Sequence, residues 1–187
     1  MKFKITLKID RKYGDLLPFN YQYEQSAVIY RILAQADTQY SSWLHENGYL
    51  LHERKRFKLF CYSPFIFEKV RPLPEAGCLK IIDERAVWYI SFIPEKSTLE
   101  FIQGIFAHQS FSIGNKKYQV AFDVVGVEAI PMPQLSEGMT FVALSPICVK
   151  LHEDNKTQYL SPDNPMFAEG VLKGLMARYE SIHGQPF

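Results

Sequence analysis

Residues 1–10 read MKFKITLKID. Phe3, Ile5, Leu7 and Ile9 fall on one side of an extended chain, and Lys2, Lys4, Thr6 and Lys8 on the other. A period of two over nine residues is the pattern of a half-buried β-strand with one face on a core. The lysine face has two readings. It is either a solvated sheet face or a basic stripe turned toward phosphates.

Working outward, DRKYGDLLPFNYQY is broken by Gly14, Pro18 and Asn20 and reads as a loop. EQSAVIYRILAQAD then changes period. Val28, Ile29, Ile32, Leu33 and Ala36 form an apolar stripe at helical spacing. A second, short helix is expected over Thr38 to Glu46, with Tyr40, Trp43 and Leu44 inward and Asn47-Gly48 ending it. RFKLFCYSPF reads as one strand stopped by Pro64, and CLKIID and VWYISFI as a hairpin across an Asp-Glu-Arg turn. A helix follows in STLEFIQGIFA, with Leu99, Ile102, Ile105 and Phe106 on one face, and then a strand in YQVAFDVVGVEAI.

The order strand, helix, strands, helix, strand predicts an α+β chain. Its outline is a ferredoxin-like (RRM-like) β-α-β-β-α-β fold with an elaborated first crossover. AIPMPQLSEG supplies two prolines and a glycine, so the expected division is a domain over 1–131 and a second unit over 138–187. TFVALSPICVKL reads there as a strand pair or bent strand, EDNKTQ as a turn and FAEGVLKGLMARYESIHG as a helix. That is a partial second domain without the strands that would close its sheet. It points to a truncated chain, a shortened natural protein or a partner that completes the sheet.

At 187 residues, 47% hydrophobic and 22% charged, the chain has material for a real core and is not a disordered polypeptide. Its net charge of +1 gives no general pull toward nucleic acid, so any such site must come from local clustering. No apolar run is long enough to span a bilayer, and the first residues lack a signal-peptide core. A cytoplasmic protein is the expectation. Cys61, Cys78 and Cys148 are odd in number and widely spaced, and read as small buried thiols. No metal-ligand spacing, paired carboxylates, nucleophile elbow or phosphate-binding glycine loop is present in the sequence, so neither a metal nor a cofactor is expected.

Two residues sit off the apolar stripes of their helices. Tyr30 falls well away from the line through Val28 and Leu33, and His45 points away from Tyr40 and Leu44. On spacing alone, Tyr30 is a tyrosine packed under a neighbour with a wet hydroxyl. His45 is a solvent-facing histidine near a helix C-terminus, where positive charge is mildly favoured. The alternative for His45 is a general acid or base, since an ordinary imidazole titrates at about 6.5. Lys58 is expected on a strand face with Arg56, Phe60 and Tyr62, where cations interleaved with aromatics can meet phosphates and stack bases. A strand with a mixed outer face is the competing reading. Arg54 and Lys55 read as a solvated turn, His52 as part of a solvated loop beside Glu53, and His108, His152 and His183 as residues at element ends.

NYQY before the first helix, IY within it, WLHE, FKLFCYSPF and FVALSPICVK occur in that order along nearly the whole chain. Together they resemble the Cas-six family, CRISPR-associated endoribonucleases that process repeat RNA. The resemblance implies two tandem ferredoxin-like domains. It also implies metal-independent cleavage that leaves a 2′,3′-cyclic phosphate and a 5′-hydroxyl. It selects Tyr30, His45 and Lys58 as catalytic residues and makes Lys2, Lys4, Arg54 and Arg56 candidates for RNA contact. It implies CRISPR repeat RNA as the partner, with other CRISPR-associated proteins and a second copy of the chain as further candidates. Members of the family continue to a glycine-rich RNA-contacting loop that these 187 residues do not reach. A non-catalytic subunit that holds repeat RNA is the alternative function, and a protein-interaction module on the same fold is a third.

Overall fold

The computed structural model describes all residues except 52–54 and 154–155. The readings of His52, Glu53 and Arg54 therefore lie outside the described residues. The strands are β1 Lys2–Asp10, β2 Leu16–Pro18, β3 Tyr49–Leu51, β4 Lys55–Phe57, β5 Phe60–Tyr62, β6 Val70–Leu73, β7 Cys78–Ile81, β8 Arg85–Phe92, β9 Ser110–Gly114, β10 Gln119–Ile130, β11 Val149–Glu153 and β12 Lys156–Leu160. The helices are α1 Gln22–Ala36, α2 Thr38–Glu46, α3 Glu95–Ala107 and α4 Pro165–His183. The chain divides into two compact units, Met1–Glu46 with Phe60–Met139, and Asn47–Leu59 with Thr140–Phe187. The segment Asn47–Leu59, which a contiguous division would leave in the first domain, groups with the second unit.

In the first unit five strands form one antiparallel sheet in the order β5-β8-β1-β10-β9. Setting β9 aside, each split crossover, β1-α1-β5 and β8-α3-β10, leaves one strand between its ends. That is the ferredoxin-like arrangement the sequence outline predicted. The alternation in β1 holds: Phe3, Ile5, Leu7 and Ile9 are buried, and Ala86, Trp88, Ile90 and Phe92 of β8 are buried beside them. The register pairs Ile5 with Trp88 on one side and with Val127 on the other. Between Thr6 and Leu7 the register against β10 slips, passing from Gly126 to Val124, so Val125 is the extra residue of a bulge. Phe101 of α3 packs on the covered face, with ring centroids 6.5 Å from Phe3 and 4.9 Å from Phe92.

The buried stripe of α1 is Gln25, Val28, Ile29, Ile32 and Leu33, close to the expected one. For α3 the structure corrects the expectation. Its buried residues are Ser97, Thr98, Phe101, Gly104 and Ile105, while Leu99 and Phe106 are 55% and 63% exposed. The reason is the approach of α1. A Cβ at position 104 would stand 1.9 Å from the carbonyl oxygen of Ile32, so the contact admits only glycine without displacement. Ser97 is buried because its hydroxyl hydrogen-bonds that of Tyr40.

Four further expectations are corrected. RFKLFCYSPF is not one strand: β4 ends at Phe57 and β5 begins at Phe60, in different sheets. Between them Leu59 is buried with φ at 55°, a left-handed conformation that costs a leucine about 1–2 kcal/mol. CLKIID and VWYISFI are not hairpin partners. β7 lies between β2 and β6 in a small separate sheet, and β8 joins the main one. Of the three thiols only Cys78 is buried; Cys61 and Cys148 are exposed. Trp43 is also partly outward, at 39% exposure.

The second unit holds two antiparallel hairpins, β3-β4 and β11-β12, and α4. The strand expected in TFVALSPICVKL begins only at Val149. The helix starts at Pro165 because the Asn164 carboxamide oxygen accepts the Met166 N–H at 2.9 Å and proline suits the first turn. No described helix is long and apolar enough to cross a membrane.

Candidate functional site

The site is built where α1 turns into α2. Asp37 is extended between them, and its carboxylate accepts the Tyr40 N–H at 2.8 Å, capping α2. The same carboxylate lies 3.1 Å from the Lys96 ammonium. The Tyr40 N–H first, and Lys96 second, hold its pKa below the usual carboxylate range. The Lys96 ammonium also lies over the Tyr40 ring, 4.8 Å from its centroid. These contacts fix the start of α2 against α3. A second tie fixes α2 against α1: the buried Ser41 hydroxyl donates to the Tyr30 carbonyl at 2.7 Å.

The consequence appears one turn further along α2. The His45 imidazole, exposed on the last turn, meets the Tyr30 ring edge to face, with centroids 4.9 Å apart and planes at 84°. The Tyr30 ring also meets Phe60 of β5 at 5.7 Å and 78°. Phe60 in turn stacks on Tyr62 at 6.3 Å and packs on Phe92 at 5.8 Å. The Tyr62 hydroxyl donates to the Gln22 carbonyl at 3.0 Å, tying β5 to the start of α1. Burial, and secondarily the neighbouring Tyr62 phenol, push the Tyr30 pKa above its ordinary value. Tyr30 therefore keeps its proton throughout the neutral range, which suits a proton donor.

Tyr30 and His45 are thus brought together within the first unit. Lys58 is carried by the second. A Cβ at Gly48 would stand 2.7 Å from the Phe57 carbonyl oxygen and 3.3 Å from the Lys58 side-chain Cδ, so the start of the β3-β4 hairpin packs against this stem. Burial first, then Arg56, lowers the Lys58 pKa. Arg56 is exposed on β4, opposite Leu50. Lys2 and Lys4 lie on the outer face of the main sheet. The Lys2 ammonium is 5.0 Å from the Tyr89 ring centroid, and Lys4 pairs with Glu128 at 3.2 Å.

Sequence reasoning placed Phe60 and Tyr62 beside Arg56 and Lys58 on one strand. The break at Leu59 assigns the two aromatics to the Tyr30 cluster instead. Ser41 and Phe60 as neighbours of Tyr30 have no sequence signal: no period or motif marks Ser41, and FKLFCYSPF contains Phe60 without pointing to Tyr30. Elsewhere, His152 Nδ1 lies 3.0 Å from the Thr157 hydroxyl and the His183 ring 4.2 Å from that of Tyr179. Among the described residues no three His, Cys, Asp or Glu side chains gather to hold a metal ion. A groove of about 600 Å³ in the second unit, lined by Val149, Leu160, Met166 and Leu175 among others, contains neither Tyr30 nor His45.

The split crossovers, sheet order and helix-covered face define a ferredoxin-like protein. The chain belongs to the CRISPR-associated Cas6 family. The family's N-terminal model matches residues 16–122 and its C-terminal model residues 130–186. The chain is 27% identical over 186 residues to CRISPR-associated endoribonuclease Cas6 1 of Methanocaldococcus jannaschii, covering 97% of this chain and 67% of that one. It is 24% identical over 185 residues to CRISPR-associated endoribonuclease Cas6 of Pyrococcus furiosus, covering 98% and 66%. It thus spans about two thirds of the length of these relatives. Among solved structures, a Cas6-related protein from Pyrococcus furiosus superposes with a TM-score of 0.80 at 25% identity, over 100% of this chain and 72% of that one. A RAMP protein binding different RNA substrates gives 0.79 at 25%, over 100% and 73%.

Proposed function

We propose that this chain is a metal-independent endoribonuclease that cleaves CRISPR repeat RNA to generate guide RNAs. The observation that carries the reading is the edge-to-face contact of Tyr30 and His45, the two residues that fall off the apolar stripes of their helices. RNA supplies its own nucleophile, so the protein's task is alignment and proton transfer. In the proposed step His45 takes the proton of a ribose 2′-hydroxyl as its oxygen bonds to phosphorus. The bond from phosphorus to the 5′-oxygen breaks, and Tyr30 gives that oxygen a proton. The products are a 2′,3′-cyclic phosphate and a 5′-hydroxyl. Burial raises the Tyr30 pKa, so the phenol carries its proton at neutral pH. Lys58 is assigned the charge that grows on the phosphate oxygens. Lys2, Lys4, Arg54 and Arg56 are assigned backbone contacts.

The test is incubation of the chain with repeat RNA in EDTA, beside His45→Ala and a substrate with a single 2′-deoxy sugar at the cut. One cut, ending in a cyclic phosphate and lost with either change, is the expected result. A second reading, a subunit that binds repeat RNA without cutting and works with other CRISPR-associated proteins or a second copy, is favoured by the likeness to an RNA-binding RAMP protein. It predicts salt-dependent binding that His45→Ala leaves intact.

A further inference from the structure

Tyr30 and His45 lie on different helices, and His45 sits on the exposed last turn of a nine-residue helix. Short helices hold their ends poorly unless tertiary contacts fix them. Several contacts fix the start of α2. The Asp37 cap, the Lys96 pair and the Tyr40–Ser97 hydrogen bond all act at its first turn and, Asp37's capping aside, all reach toward α3. Ser41 is different. It is only 6% exposed, lies one turn before His45, and donates its hydroxyl to the main-chain carbonyl of Tyr30 itself. One hydrogen bond thus joins the helix that bears the imidazole to the residue that bears the phenol.

We propose that Ser41 is a positioning residue for the cleavage reaction: its hydrogen bond to the Tyr30 carbonyl sets the distance and angle between the Tyr30 and His45 rings. The proposal rests on the nuclease reading given above. Its physical basis is that proton-transfer groups must meet the reacting atoms in near-attack geometry, and that a misplacement of about 1 Å can cost about a hundredfold. The Tyr30 carbonyl is a backbone atom inside α1, so losing the Ser41 bond moves α2 and not the chain around Tyr30. Alanine at 41 raises helix propensity and removes only the hydroxyl oxygen, so the fold is retained.

The experiment compares the full chain with Ser41→Ala, Ser41→Cys and His45→Ala. It measures single-turnover cleavage of repeat RNA at saturating protein, the Kd for that RNA, and the NMR signals of the His45 ring, which feel the ring current of Tyr30. Expected for Ser41→Ala is a cleavage rate lower by about tenfold or more with unchanged Kd and displaced His45 signals. Cysteine, a weak donor of similar size, restores part of both. A Ser41→Ala rate equal to that of the parent, or a loss that follows RNA affinity alone, overturns the proposal. If the parent itself leaves the RNA uncut, the nuclease reading fails. The His45 signals then decide the positioning claim by themselves: displacement in Ser41→Ala upholds the geometric link, and unchanged signals overturn it.

Discussion

The Tyr30 ring meets two others, with the His45 imidazole 4.9 Å from its centroid and the Phe60 ring 5.7 Å from it, both edge to face. Such contacts contribute about 0.5–1.5 kcal/mol each beyond buried area and favour one ring orientation over others. The phenol hydroxyl is therefore aimed by two elements, α2 and β5, while Tyr30 itself rides on a third.

The acid and base can be told apart by changing the leaving group. In Tyr30→Phe both ring contacts survive and only the hydroxyl is lost. Cleavage of ordinary RNA should fall by about a hundredfold or more, with repeat binding unchanged. A substrate whose leaving 5′-oxygen is replaced by sulfur needs no proton donor and should recover most of the rate in Tyr30→Phe, but not in His45→Ala. Recovery in His45→Ala alone would exchange the two roles.

The alkaline side of the rate profile should report Lys58. An ordinary lysine keeps its charge to about 10.4. Burial and the Arg56 charge bring that limit down, so the positive charge is present below the lowered pKa and is lost as pH rises through it. Tyr30 shifts the opposite way. Arg56→Gln removes one of the two causes acting on Lys58, and the alkaline limb should move to higher pH. A limb that stays in place would show that Lys58 does not set it.

Phe60→Leu tests the other neighbour of Tyr30. The substitution keeps an apolar side chain against Phe92 and should cost roughly 1 kcal/mol in stability, read by chemical denaturation. Cleavage at saturating RNA, measured well below the melting temperature, should fall by about tenfold because the phenol loses one of its two walls. A rate equal to that of the parent would confine Phe60 to packing.

Much of this was legible in the sequence, for reasons that can be named. Strand β1 is half buried, so its period of two is strong, and α1 packs one broad stripe. Tyr30 and His45 stood out because each broke a pattern whose meaning was clear. The failures share a cause, contacts made at long range. The α3 stripe was misread because its buried face carries Ser97, Thr98 and Gly104, chosen for closeness to α1 and a hydrogen bond to Tyr40. Leu99 and Phe106 are simply exposed. The hairpin assigned to β7 and β8 failed because each strand found partners elsewhere in sequence. The left-handed Leu59 gave no signal, since leucine is a residue that seldom adopts that conformation.

The basic outer face of the sheet makes a separate prediction. Lys2, beside the Tyr89 ring, and Lys4, paired with Glu128, are assigned phosphate contacts. Lys2→Ala should weaken RNA binding alike for repeat and unrelated single strands. It should also reduce the slope of log K against log salt by about 0.7, the value for one phosphate on a single strand. An unchanged slope, measured by titration at several salt concentrations, would remove Lys2 from the interface.

The most restricted letter in α3 is the one that carries no side chain. At Gly104 the helix touches the main chain of α1 at Ile32, two residues beyond Tyr30, with no room for one added carbon. Leu99 and Phe106, bulky and apolar, look like the ones to preserve, yet they face outward and many replacements would be tolerated there. A lineage of this protein can rewrite the conspicuous residues of α3 freely. A drift from glycine at position 104 would push on the helix that carries the phenol, and selection for cleavage would register it first.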